Sequence, residues 1–175
     1  MAETDPASLL RRIRALAMDV DGVLTDGGLW WGPNGEEWKR FCFADIMGVS
    51  LARRAGLIMA LISGEDSPLV DRYASKMHIA FVAKSCRDKA GALKEFATSA
   101  RVELAEICYM GDDINDLAAM ELAGLSAAPS NASREVLDQA HMVTQSPGGN
   151  GAVREVIDAL LAAKDLNTRE VLARP

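Results

Sequence analysis

Short apolar runs alternate with longer amphipathic stretches along most of the chain. The apolar runs predict buried strands, and the stretches between them predict helices, most of which begin near Asp or Ser. The predicted strands are Ile13–Val20, Leu57–Ile62, Ile79–Val82, Ile107–Met110 and Leu125–Ala128. The predicted helices are Ile46–Ala55, Ser67–Met77, Lys89–Ala100, Asp113–Ala123, Ser133–Ala140 and Val153–Ala163. This alternation predicts an α/β fold with a doubly wound, Rossmann-like parallel sheet covered by helices on both faces.

Residues 27–43 depart from the alternation. Two short runs, Leu29–Trp31 and Trp38–Phe41, flank a Gly-Pro-Asn-Gly segment, and Asn-Gly is a strong turn signal. The segment therefore predicts an antiparallel β-hairpin inserted after the first strand. Either its tryptophans pack the hairpin onto the body of the protein, or they form a subunit contact or the roof of a pocket. These tryptophans are Trp30, Trp31 and Trp38.

Composition narrows the class of protein. A chain of 175 residues is long enough for one domain with a real core and leaves no room for a large cap domain, so we expect a single domain over 1–175. The formal net charge of −6 argues against nucleic acid and anionic membranes as partners. The longest strongly apolar run, Leu57–Ile62, is far shorter than the roughly 20 residues of a membrane span.

The two ends and the cysteines carry further expectations. Residues 1–5 lack the basic and apolar segments of a signal peptide, so we expect a cytoplasmic protein. Residues 164–175 show a weak pattern and are expected to fray. The cysteines are irregularly spaced and only two histidines are present, which favours neither disulfides nor a zinc site. The cysteines are Cys42, Cys86 and Cys108.

Acidic residues follow two of the predicted strands. Asp19 and Asp21 come after the first strand, and Gly111–Asp116, which contains three Asp and one Asn, comes after the fourth. Carboxyl ends of parallel strands meet at one edge of a sheet, so these carboxylates should lie close together and need a cation or a shared proton. Oxygen ligands favour Mg²⁺. The alternative is structural, because Asp-Gly pairs form turns and Asp caps helices.

Two more polar features lie at predicted strand or helix ends. Ser63 and Gly64 follow the second strand, and Lys89 begins a helix. A hydroxyl with backbone amides at a loop–helix junction can bind an anion, and a lysine adds a point charge. Each feature alone is ordinary, but their order along the chain supports a joint site for an anionic group.

Together these motifs resemble the haloacid dehalogenase-like phosphohydrolases. Their four motifs appear in order as Asp19–Val23, Ser63, Lys89 and Gly111–Asp116. The likeness covers residues 14–161, including the hairpin and Gly148–Glu155. Within the superfamily, the chain is similar to the small capless phosphatases that act on 2-keto-3-deoxy sugar-acid phosphates with eight or nine carbons. The resemblance implies a Mg²⁺-dependent phosphatase in lipopolysaccharide or sialic-acid-type biosynthesis.

The resemblance implies roles for the acidic residues. Asp19 would be the nucleophile that forms an aspartyl phosphate, and Asp21 would be the general acid and then the base. Mg²⁺ would be held by Asp19, the main-chain carbonyl of Asp21, and Asp112. Asp113 and Asp116 would be auxiliary or outer ligands.

The resemblance also implies phosphate-binding and substrate-recognising residues. Ser63, with Gly64 beside it, and Lys89 would hold the phosphate oxygens. Eight-carbon enzymes of the group commonly carry Arg where this chain has Glu65. Nine-carbon enzymes carry Glu there and Lys eleven residues later, which is Lys76 here, so these positions favour a nine-carbon substrate. Alternatively, both are solvated charges. Arg154 either binds the sugar carboxylate or lies on the surface.

Members of the group assemble as tetramers through the hairpin, with a neighbour closing each pocket. The resemblance therefore implies a homotetramer here. Two alternatives differ in class. One is a phosphorylation-dependent receiver domain, which is also α/β with strand-end aspartates. The other is a catalytically weak tetramerising module associated with a CMP-sugar-acid synthetase, which the intact set of motifs disfavours.

Overall fold

A parallel sheet of six strands forms the centre of the molecule, in the order β5-β4-β1-β6-β7-β8. The computed structural model describes residues 6–174. Within these residues the strands are β1 (Ala15–Met18), β2 (Trp30–Trp31), β3 (Glu37–Trp38), β4 (Ile58–Ile62), β5 (Phe81–Ala83), β6 (Ile107–Met110), β7 (Leu125–Ala128) and β8 (Met142–Val143). Strands β2 and β3 form a separate antiparallel hairpin. The predicted parallel sheet and inserted hairpin are confirmed.

Helices cover both faces of the sheet. They are α1 (Pro6–Arg12), α2 (Phe43–Arg54), α3 (Pro68–Met77), α4 (Lys89–Ala100), α5 (Leu117–Leu122), α6 (Arg134–Gln139), α7 (Ala152–Ala163) and α8 (Thr168–Leu172). Successive residues of β1 pack into the cores on opposite faces of the sheet, because side chains alternate across a strand. Leu16 and Met18 join the core under α2, α3 and α7, whereas Ala15 and Ala17 join the core under α4 and α5. This two-sided cover is the doubly wound arrangement, and the described residues contain no large cap domain.

The carboxyl-terminal segment corrects one expectation. Residues 164–175 were expected to fray, but α8 forms within them and Val171 is fully buried against the core. The side chain of Asn167 accepts a hydrogen bond from the Arg169 amide and caps this short helix. One apolar residue and one capping residue are too weak a pattern to predict a helix, but in the folded protein tertiary packing stabilises α8.

Among residues 6–174, no helix is long and apolar enough to cross a membrane. Residues 1–5, on which the expectation about a signal peptide rests, lie outside the described residues, as does residue 175.

The hairpin leaves its tryptophans in solvent. Trp30 pairs with Trp38 across the two strands, and the Gly32 amide donates to the Glu36 carbonyl at 2.8 Å to close the turn. Trp30, Trp31 and Trp38 are 54%, 76% and 52% exposed, respectively. The interpretation that they pack the hairpin onto the body is therefore wrong, because all three residues are more than half exposed. The exposed aromatic surface fits the other interpretation, a contact surface or a roof.

Candidate active site

Three strand ends meet at the centre of the sheet. Strand β1 lies between β4 and β6, with Met18 opposite both Leu61 and Met110. The loops that follow these strands therefore begin side by side. This register brings together Asp19, Ser63 and the loop that begins at Gly111, as the motif order predicts.

The loop after β1 is a tight, internally bonded turn around Asp19. Asp19 is 5% exposed, and its Oδ1 accepts a hydrogen bond from the Val20 amide at 2.7 Å. The buried Thr25 hydroxyl accepts from the amides of Gly22 and Gly27, each at 3.3 Å. Gly22 has φ +88°, and a Cβ there would collide with the Asp112 carboxylate. The approach of the two acidic loops thus requires the Gly of the Asp-x-Asp-Gly-x-x-Thr pattern, and the Thr holds the turn.

A later loop closes against this turn. The Gly149 amide donates to the Val23 carbonyl at 2.9 Å, and Gly149 has φ +61°. A Cβ at Gly148 would overlap the Gly22 carbonyl oxygen, and one at Gly149 would overlap the Thr25 backbone. The glycines near residue 150 therefore let two backbones touch behind the site.

A buried network joins Lys89 to two aspartates. Lys89 Nζ lies 2.9 Å from Asp19 Oδ2 and 2.7 Å from Asp116 Oδ1, and the Tyr109 hydroxyl donates to the same Asp116 oxygen at 2.7 Å. Asp116 Oδ2 accepts from the amides of Asp112 and Asp113 at 3.0 and 3.3 Å. Asp116 is fully buried and accepts bonds from four donors, so it holds the network together.

The carboxylates repel one another in the absence of a cation. Burial, followed by the charge of Asp116, raises the pKa of Asp19 to about 6, and burial and the charge of Asp19 raise the pKa of Asp112 to about 7. Burial opposes the charged form of Lys89, but Asp19 and Asp116 outweigh it and raise its pKa. One lysine does not neutralise three carboxylates. The centre therefore favours a further positive charge.

The donor set fits Mg²⁺. Carboxylate oxygens of Asp19, Asp112 and Asp116 lie within 4.8 Å of one another. Oxygen ligands with this spacing suit a small, hard divalent cation. Asp116 was expected only as an auxiliary ligand, and its bonds to Lys89 and Tyr109 leave Asp19 and Asp112 as the freer donors. The main-chain carbonyl of Asp21 stays a predicted third ligand.

A cavity of about 210 Å³ opens over the cluster. Asp19 and Asn115 line it, together with five more of the predicted site residues. These five are Asp21, Gly64, Glu65, Asp112 and Asp113. Ser63 is buried beneath them and accepts a hydrogen bond from the Glu65 amide at 3.2 Å. Asp113 is exposed and caps the turn that follows it through the Ile114 amide.

The structure separates the other predicted specificity residues from this cavity. Lys76 lies at the end of α3, its Nζ 5.8 Å from the centre of the Phe43 ring, and lines a second cavity of about 300 Å³. Arg154 lies on α7 and its Nε bonds both Asp158 oxygens at 2.9 Å. Within one chain, therefore, only Glu65 of these three residues lines the cavity over the carboxylates.

Two residues that contact the site were not identified from the sequence. Tyr109 lies in an apolar strand, where a tyrosine is ordinarily interpreted as a core residue. Lys39 Nζ lies 2.8 Å from the Asp21 carboxylate. Lys39 was overlooked because only the tryptophans of the hairpin were considered as functional residues. Alternation along the hairpin was the available signal, since Lys39 lies on the face opposite to Trp38.

A doubly wound sheet with two acidic loops, a buried serine and a buried lysine at one edge defines a class of α/β hydrolases with carboxylate-based active sites. Residues 58–157 match the haloacid dehalogenase-like hydrolase family, and the chain belongs to this family. The resemblance drawn from the motifs is confirmed, and the receiver-domain alternative is wrong.

Individual relatives refine the class. The chain is 37% identical over 153 residues to 3-deoxy-D-manno-octulosonate 8-phosphate phosphatase of Yersinia pestis, covering 87% of this chain and 82% of the relative. It is similar to the Moraxella catarrhalis enzyme of the same name, solved with a magnesium ion, a phosphate ion and a KDO molecule (TM-score 0.91, 34% identity, 95% of each chain). It is also similar to the cobalt-bound enzyme of Haemophilus influenzae (TM-score 0.90, 32% identity, 95% of this chain and 99% of that one). The chain is a phosphatase of this family.

Proposed function

We propose that the chain is a Mg²⁺-dependent phosphatase that releases the terminal phosphate of 3-deoxy-D-manno-octulosonate 8-phosphate. The observation that carries the proposal is the cluster of buried Asp19, Asp116 and Lys89 with half-buried Asp112 at an open cavity. This cluster needs a further positive charge, and a bound cation would also let a phosphate dianion approach the carboxylates. The names of relatives at 34–37% identity support the sugar acid.

Asp19 is the proposed nucleophile. One of its oxygens attacks phosphorus as the bond to the sugar oxygen breaks, which forms an aspartyl phosphate. Its Oδ1 accepts from the Val20 amide and its Oδ2 faces Lys89, so the carboxylate is fixed in orientation before the substrate arrives. Water then attacks phosphorus, the acyl phosphate bond breaks, and inorganic phosphate leaves with the carboxylate restored.

Asp21 is the proposed acid and base. It gives a proton to the leaving sugar oxygen in the first step and takes one from the attacking water in the second. Its carboxylate is 31% exposed and lines the cavity, which places it at the mouth of the site rather than in the buried network.

Ser63, Gly64 and Lys89 are the proposed partners of the nonbridging phosphate oxygens, which are those not bonded to the sugar. Asp19 and Asp112 are the proposed Mg²⁺ ligands, with the main-chain carbonyl of Asp21. When bound, Mg²⁺ shields the nucleophile from the negative charge of the phosphate. Asp116 orients Lys89 and the amides of Asp112 and Asp113, and Asp113 is auxiliary.

A nine-carbon sugar acid is the second candidate substrate. Glu65 supports it, because this residue lines the cavity where eight-carbon enzymes commonly carry arginine. Lys76 lines a different cavity, so a Glu65–Lys76 pair around the substrate needs a neighbouring chain. Arg154 bonds Asp158 and is the weakest candidate for the sugar carboxylate.

We also propose a homotetramer of single-domain chains. The support is the exposed tryptophan surface of the hairpin. The hairpin is next to the cavity, because its Lys39 contacts Asp21, which lines the cavity. The cytoplasmic location expected from the sequence stays a prediction.

The test compares kcat/KM for the eight- and nine-carbon 2-keto-3-deoxy acid phosphates, with phosphate release as the readout. We expect at least about tenfold preference for the eight-carbon substrate, which corresponds to roughly 1.4 kcal/mol. The matched variant Glu65→Arg should increase this preference. A tenfold preference for the nine-carbon substrate would reverse the assignment, and no turnover of either with Mg²⁺ present would support the weak-module alternative.

A further inference from the structure

Lys39 is a buried cation at the end of an exposed hairpin. Its side chain is 3% exposed, and Nζ lies 2.8 Å from each Asp21 oxygen and 3.8 Å from Glu37 Oε1. A buried ammonium is costly unless it is paired and hydrogen-bonded. Asp21 supplies that pairing, so each side chain restrains the other.

The hairpin is fastened on both sides of this contact. Side chains alternate across a strand, so Glu37 and Lys39 share the face opposite to Trp38. Glu37 Oε1 accepts a hydrogen bond from the Ser67 hydroxyl at 2.9 Å, which ties the hairpin to the start of α3. Arg40 Nε lies 2.9 Å from Asp26 Oδ2, which ties it to the loop after β1. Lys39 therefore reaches Asp21 from a braced position.

We propose that Lys39 is a positioning residue for Asp21, an inference that rests on the acid and base role proposed above. Asp21 is at the mouth of the cavity with no other basic side chain recorded against it among the described residues. A free carboxyl on that loop would sample several rotamers, of which few reach the leaving oxygen. Lys39 holds one orientation and thereby links the hairpin to proton transfer.

The experiment uses the dependence of the first step on the leaving group. We compare kcat/KM for 4-nitrophenyl phosphate, whose leaving group needs little protonation, with kcat/KM for the sugar-acid phosphate, whose alkoxide needs a proton. Lys39→Met should lower the second value roughly 30-fold, which is less than the roughly 10²–10⁴-fold that general acid catalysis contributes in total, and the first less than about threefold. Lys39→Arg, which keeps the charge, should recover part of the loss.

A matched control and a parallel variant separate the outcomes. Lys164 Nζ donates to the Arg11 carbonyl at 2.8 Å and does not line the cavity, so Lys164→Met should leave both values unchanged. Asp21→Asn should show the same selective loss as Lys39→Met, and larger. If Asp21→Asn is not selective, the proposed acid is wrong. Suppose instead that Asp21→Asn is selective. The positioning role is then overturned if Lys39→Met lowers kcat/KM equally for both substrates, leaves both values unchanged, or raises the value for the sugar-acid phosphate. If Lys39→Met does not fold, Lys39→Gln carries the same comparison.

Discussion

Asp19 and Asp112 each combine burial with repulsion from a neighbouring carboxylate. Both effects favour the protonated form, and they raise the pKa values to about 6 and about 7. A cation bound between the two requires both to be ionised. Metal binding and proton release are therefore coupled at this site.

Binding of Mg²⁺ should release protons in slightly acidic solution. At pH 6 both carboxyls are partly or mostly protonated and binding should expel between one and two protons, whereas at pH 8.5 it should expel almost none. Calorimetric titration in two buffers with different ionisation enthalpies measures the number. Asp112→Asn should abolish both the binding and the release. Equal release at the two pH values would contradict the coupling.

The metal-free protein should lose stability as pH rises. A carboxyl with a raised pKa binds its proton more tightly in the folded state, so its contribution is present below the ordinary value of 3.8 and is lost as pH rises through about 6 and about 7. With a chelator, the Tm should fall by roughly 5 °C between pH 5 and pH 8. Mg²⁺ should reduce this fall, and Asp112→Asn should show a shallower slope than wild type in thermal melts.

Asp19→Asn should abolish turnover and leave the fold intact. Asparagine has the same shape but forms no acyl phosphate, so kcat should fall on the order of 10⁴-fold or more. Asp116 continues to pair with Lys89, so circular dichroism and Tm should stay close to wild type. Full activity of this variant, or of the wild type after exhaustive chelation, would contradict the mechanism.

At the level of elements, α7 begins at a residue that cannot cap it. Gly151 has no side chain, and Asp45 from α2 supplies the acceptors instead, with Oδ2 3.1 Å from the Gly151 amide and Oδ1 2.9 Å from the Arg154 amide. Burial raises the pKa of Asp45 against these hydrogen bonds. A side chain remote in sequence thus joins two helices of one layer.

Asp45→Ala should lower the free energy of unfolding by about 2 kcal/mol, because it removes a cap and leaves two partly buried amides without their acceptor. Asn167→Ala removes the exposed local cap of α8 and should cost about 1 kcal/mol or less. Urea unfolding of the two variants measures the difference. Equal losses would mean that burial adds nothing to the cap of α7.

The predicted elements were largely confirmed where the pattern was long. Lys89–Ala100 and Ile107–Met110 appear with the predicted bounds, whereas α1 and the two-residue β8 were not predicted. The predicted helix Asp113–Ala123 begins instead with a 3-10 turn, Ile114–Asp116, followed by α5. Side chains of Asp113 and Asp116 bond the local amides and tighten that turn.

At the level of the whole molecule, the exposed tryptophans should mediate assembly. If the hairpins form the tetramer interface, Trp31→Glu should shift the mass in light scattering from four chains to fewer, because it places a charge in a buried aromatic contact. Leu172→Glu, at another exposed apolar residue, should leave the mass unchanged. A wild-type monomer at micromolar concentration would contradict the tetramer.

The site itself could be predicted only in part. Asp19, Ser63, Lys89 and Asp112 follow from strand-end motifs, since parallel strands deliver their following loops to one edge. Contacts that depend on side-chain packing could not be predicted, and the Tyr109–Asp116 bond and the Lys39–Asp21 pair are of this kind.

The contact between Gly149 and the loop after β1 has a consequence for synthesis of the chain. Asp19, the proposed nucleophile, is made among the first twenty residues, but its loop packs against Gly148 and Gly149, which follow more than a hundred residues later. A nascent chain on the ribosome therefore exposes its acidic segment long before the backing loop exists. The loop around Asp19 can be completed only after nearly the whole chain has emerged, so a product truncated before Gly148 contains Asp19 without the loop that packs behind it.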